Sequence, residues 1–151
     1  MFTVPPLLSL VGVSGYGLWI SYNNIVRLQK YEAKSEKAAE WSNEAAERLH
    51  TTRTTQGAAA ITIGLSLITS LTLLFLNHAE QHQIVLSISL INTSICLGAR
   101  FHMADYWRQR TMVPFVQDYN EAIKGSNIAV NVLGLLGAGW IVTGLVGWFL
   151  G

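Results

Sequence analysis

The sequence of 151 residues predicts an all-α polytopic membrane protein, four transmembrane helices in an antiparallel bundle with a helical charged first loop. Three observations carry that expectation. All ten Lys and Arg residues fall in two blocks, Arg27, Lys30, Lys34, Lys37, Arg48 and Arg53, then Arg100, Arg108, Arg110 and Lys124. Outside them lie four stretches free of Lys, Arg, Asp and Glu, at 1–26, 54–79, 81–99 and 125–151. Each is long enough, at about 1.5 Å per helical residue, to cross a hydrocarbon core about 30 Å thick. A water-soluble bundle would instead need a polar face on every helix, and the segments 58–76 and 128–150 carry no charge at all.

The first span is expected at 4–26. Pro5 and Pro6 stand in its first turn, where a missing N–H does no harm. Trp19 and Tyr22 lie toward its charged end, as interfacial aromatics do. The segment lacks a basic start and a small-residue cleavage pattern, so it reads as a retained anchor and not as a signal peptide. The first charged loop, 27–56, is rich in Ala, Glu, Lys and Arg and favours helix throughout. Within it Tyr31, Ala38, Trp41, Ala45 and Leu49 recur at helical spacing, while Glu32, Glu36, Glu40 and Glu44 form a row of like charge on a solvated face.

The second span is expected at 57–77 and the third at 84–101, joined by the short polar link His78 to His82, which makes antiparallel neighbours of them. The second charged loop, 102–126, reads as a short interfacial helix with Pro114 at its start and Gly125 at its end. The fourth span follows at 127–150. Both basic blocks are separated by two crossings and share one side, which the positive-inside rule makes the cytoplasm or its organellar equivalent. Both termini are then expected on the opposite side.

Lipid removes the hydrophobic drive between helices, so contact depends on small residues and interhelical hydrogen bonds. Every span supplies them: Gly12, Gly15 and Gly17; Ala58, Thr62, Ser66 and Ser70; Ser94 and Gly98; and Gly139, Thr143, Gly147 and Gly151 at four-residue intervals with Gly134 and Ala138. Packing within the bundle is the simpler use of these residues. The glycine row of the fourth span is the best candidate for a seam against another subunit.

Net charge is +1, so no concentrated basic patch argues for nucleic acid. The single cysteine, Cys96, falls within the third span and makes an intramolecular disulfide impossible. No cofactor is implied by a motif: there is no glycine-rich phosphate loop, nucleophile elbow or cysteine-based metal site. Five groups gather by topology toward the charged side, His50, Arg53, Arg100, His102 and Asp105, and form the candidate catalytic or head-group site. His78, Glu80 and His82 on the short link are a weaker candidate metal cluster, the two histidines standing at i, i+4. Asn92 lies near the middle of the third span, where an amide marks packing or a pathway.

Thr52-Arg-Thr-Thr-Gln-Gly-Ala-Ala59, Arg100-Phe-His102 and the stretch from Asn120 to Asn127 are similar to motifs of a plant and bacterial family of uncharacterised four-span membrane proteins, a domain of unknown function. The resemblance covers about residues 45–150, departs in the Glu-rich first loop, and implies a fold and no activity. A second likeness is to the membrane anchor of succinate dehydrogenase, through His50-Thr-Thr-Arg53 and Gly98-Ala-Arg-Phe-His-Met-Ala-Asp105. There the haem-ligand position is filled by Thr93 or Ser94.

The function expected from the sequence is that of an accessory or assembly subunit acting through helix–helix contacts, with lipid, further copies or other membrane subunits as partners. The alternatives are a small membrane enzyme or lipid- or quinone-binding protein using the charged side, and an oligomeric transporter or channel.

Overall fold

The computed structural model describes residues 2–39, 43–75, 81–108 and 117–150. These form four α-helices: α1 Val4–Ala39, α2 Asn43–Phe75, α3 His82–Arg108 and α4 Gln117–Phe149. Each contains a stretch long and apolar enough to cross a bilayer. The chain is a multi-pass membrane protein, all-helical over the described residues.

Contacts run in opposite order along neighbouring helices. Ser14 meets Ser66 and Gly17 meets Ile63 between α1 and α2. Leu10 packs at Gly139, and Asn24 at Gly125, between α1 and α4. Val85 lies at Gly147, and Arg100 at Gly134, between α3 and α4. Most of the packing joins α1 to α2 and to α4, and α3 to α4, with a thinner seam between α2 and α3.

The helices outrun the expected spans, for a reason that lies in their burial. Past Arg100, α3 continues because Met103 and Trp107, one turn apart, are both buried. Likewise α4 begins well before residue 127, with Ala122, Ile123 and Ser126 already in the core. The separate interfacial helix expected to stop at Gly125 is therefore corrected: α4 runs through that glycine without a break. Pro114 lies outside the described residues. The charged first loop is helical as α1 to Ala39 and as α2 from Asn43, while Trp41 falls outside the described residues.

The glycines of α4 are occupied within the chain. A Cβ at Gly139 would sit 2.8 Å from Leu10 Cδ2, at Gly147 2.9 Å from Val85 Cγ1, and at Gly144 3.0 Å from Ser89 Cβ. Such distances require close backbone approach, which is how helices associate without a hydrophobic drive. The row read as a possible subunit seam is thus turned toward α1 and α3. In the middle of the bundle, Trp140 Nε1 donates to Ser66 Oγ at 2.8 Å and Ser14 Oγ reaches the same oxygen at 3.3 Å. One serine of α2 so ties α1 and α4 together.

Candidate functional site

The charged half of the bundle carries a layer of polar side chains that cross between helices. Gln56 Nε2 of α2 donates to Ser126 Oγ of α4 at 2.6 Å, and Ser126 Oγ donates in turn to the Ala122 carbonyl at 2.7 Å. Thr52 Oγ1 and Tyr106 Oη, on α2 and α3, are 2.6 Å apart. Nearer the surface, Arg27 Nε of α1 pairs with Glu121 Oε2 of α4 at 3.2 Å, both side chains partly exposed.

Asn24 departs from this pattern with both of its polar atoms. It is 1% exposed, and neither Oδ1 nor Nδ2 has a hydrogen-bond partner among the described residues. Its amide lies flat on α4 at Gly125, where a Cβ would fall 2.7 Å from Asn24 Cγ and 2.9 Å from Nδ2. Glycine inside a helix costs about 1 kcal/mol relative to alanine, and here its lack of a side chain is what admits the amide. Gln56 Oε1 is likewise buried without a partner.

Two clefts flank the charged end of α1. The one toward α4 encloses about 150 Å³ and is lined by Trp19, Asn24, Arg27, Glu121, Lys124 and Ile128 among others. The one toward α2 encloses about 280 Å³, with Leu28, Gln29, Arg53 and Gln56 in its walls. Each has a buried amide with an unbonded oxygen and an arginine beside it.

No family model, curated protein or solved structure matches this chain. Its chemistry follows from the side chains themselves. The layer offers amides, hydroxyls and the Arg27–Glu121 ion pair, groups that recognise a polar ligand by hydrogen bonds and charge.

The five residues singled out from the sequence are all exposed. Arg53 belongs to the α1–α2 cleft. Arg100 instead lies across α4, its Nη1 3.0 Å from where a Cβ of Gly134 would be. Gly134 is nine residues along α4 from Gly125, about 13 Å at helical rise, so Arg100 stands deeper in the bundle than Asn24. The two arginines serve different seams. His50 is exposed on α2, and His102 and Asp105 on α3.

Of the weaker metal candidates, His78 and Glu80 lie outside the described residues, and His82 is partly buried at the start of α3. No cluster of three or more His, Cys, Asp or Glu side chains able to hold a metal occurs among the described residues. Asn92 is buried and donates to the Ile88 carbonyl of its own helix at 3.0 Å. The sequence reading singled out Asn92 among the span amides and gave no separate role to Gln56, Ser126, Tyr106 or Trp140. The usable signal was polar residues without charge at the same height on several helices.

Proposed function

We propose that this is a non-catalytic accessory membrane protein that binds an amphiphilic ligand at its charged end. The observation that supports the reading is the Asn24 amide, enclosed beside a cleft with neither polar atom bonded. Leaving a buried polar group unsatisfied costs about 1–3 kcal/mol, and a bound molecule that meets the amide recovers that loss. A catalytic site would need a nucleophile or proton carrier held against a partner, whereas amides and hydroxyls orient a ligand. In this reading both basic blocks face the cytoplasm or its organellar equivalent, because Lys and Arg are retained there.

Mass spectrometry of the intact protein in mild detergent tests it. A retained amphiphile that is lost in Asn24→Leu supports the reading, and an identical complement of bound molecules in wild type and variant overturns it.

A second reading, assembly through helix–helix contact, is favoured by the outer face of α1. A Cβ at Gly12 or at Gly15 would meet nothing within 4 Å, and both glycines lie near exposed Tyr16 and Trp19. A second helix, from another copy or another subunit, would fit closely there. Loss of an oligomer on Gly12→Leu would uphold it; unchanged stoichiometry would remove it.

A further inference from the structure

We infer that the cleft between α1 and α4 takes the headgroup of an anionic phospholipid, its phosphate held by Lys124 and Arg27 and its glycerol region hydrogen-bonded by the Asn24 amide. The inference rests on the binding reading above and deepens it.

Charge is the first argument. The lining carries Arg27 and Lys124 against Glu121, two positive groups to one negative, so the cleft is net positive. Arg27 is engaged with Glu121, while Lys124 is exposed and has no ion pair among the described residues. Basic pockets between transmembrane helices suit anionic headgroups for this reason. A quinone, being uncharged, makes no use of it.

Depth is the second. Trp19 is 61% exposed and marks the edge of the hydrocarbon, where an indole ring settles. Asn24 and Arg27 are five and eight residues further along α1, about 7 and 12 Å at helical rise. The headgroup layer occupies about 5–8 Å on each side of the hydrocarbon, so the amide, on a side chain tilted back toward the N-terminus of its helix, lies within that layer and the Arg27 backbone about 4–7 Å beyond it. Long basic side chains reach back toward phosphate from such a position.

Size is the third. At about 150 Å³ the cleft is smaller than the roughly 300–1,000 Å³ of pockets that enclose a whole drug-sized molecule. It admits a polar head while the acyl chains stay outside, along the lipid-facing surfaces of Trp19 and Ile128. The Asn24 amide supplies an NH2 group with two donor hydrogens and a carbonyl acceptor, neither with a competing partner among the described residues, matching a headgroup that carries both ester oxygens and hydroxyls.

The test uses the full chain, stripped of lipid in detergent and then given phosphatidylglycerol, phosphatidylcholine or soluble glycerol phosphate. Binding is read by native mass spectrometry and by the shift of the thermal unfolding midpoint. Phosphatidylglycerol is expected to bind one to one and raise the midpoint. Lys124→Gln should weaken that binding about fivefold, the equivalent of about 1 kcal/mol for one basic residue at a lipid surface. Asn24→Leu should remain folded and lose the response, while Arg108→Gln, a basic residue on α3, should keep it. Equal binding of both phospholipids, or full retention in Lys124→Gln, overturns the inference. Binding of glycerol phosphate as tight as that of the lipid also overturns it, in favour of a free phosphate site. If charge proves irrelevant yet Asn24→Leu still loses the amphiphile, the headgroup assignment fails and the broader binding reading stands. If Asn24→Leu changes nothing with any lipid, both fall.

Discussion

The two halves of the bundle solve the problem of helix contact in opposite ways. In the half remote from the charges, glycine lets an apolar side chain close in: Gly139 against Leu10 and Gly147 against Val85. In the charged half, Gly125 admits an amide instead, and the amide gains no hydrogen bond from it. The same residue type thus admits an aliphatic side chain at Gly139 and Gly147, and at Gly125 a whole amide with both polar atoms unmet. The contrast separates residues that hold the protein together from residues available to something else.

Substitution can break that contrast, and the largest effect is expected where both features meet. Gly125→Leu drives a side chain into the enclosed Asn24 amide; it should cost about 3 kcal/mol or more and lower folded yield in denaturant titrations in detergent. A loss below about 1 kcal/mol would mean that α1 and α4 separate easily there, and the cleft would lose its floor. Next comes Gly139→Val in the far half, expected to cost about 1–3 kcal/mol through overpacking against Leu10. The matched control is Gly12→Ala on the outer face of α1, expected to be neutral or stabilising by up to about 1 kcal/mol.

Smaller effects sharpen the comparison. Ser66→Ala removes the oxygen shared by Trp140 and Ser14 and should cost about 0.5–2 kcal/mol, the range for interhelical hydrogen bonds in membranes together with an orphaned indole N–H. Asn24→Leu should run the other way in lipid-free detergent, raising stability by about 1 kcal/mol because an unsatisfied polar group is replaced by an apolar one of similar shape. A fall in stability would show that the amide already has a partner. Arg27→Gln should be smallest, within about 1 kcal/mol, since the Arg27–Glu121 pair is partly exposed.

The four membrane-length helices were legible in the sequence because the rule involved is crude and strong: no charge for about twenty residues. Where the helices end was not. Whether α3 continues past Arg100 depends on Met103 and Trp107 finding a core, and that core is supplied by residues distant in the chain. Gly125 illustrates the harder limit. A glycine after an apolar, aromatic segment reads equally well as a helix stop and as a point of close approach, and only the position of Asn24 decides between them. Charged residues drew attention toward Arg100 and His102, whereas the enclosed groups are neutral amides, which carry no pattern of their own along the chain. Arg100 and Arg53 read as neighbours from topology alone, yet rotation about each helix axis sends them to separate seams.

The unbroken length of α1 has a geometric consequence. Thirty-six helical residues span about 54 Å, against about 40–45 Å for a bilayer with its headgroups. The excess of about 9–14 Å carries the charged end of α1 past the headgroups into water, where its Glu and Lys residues need no burial.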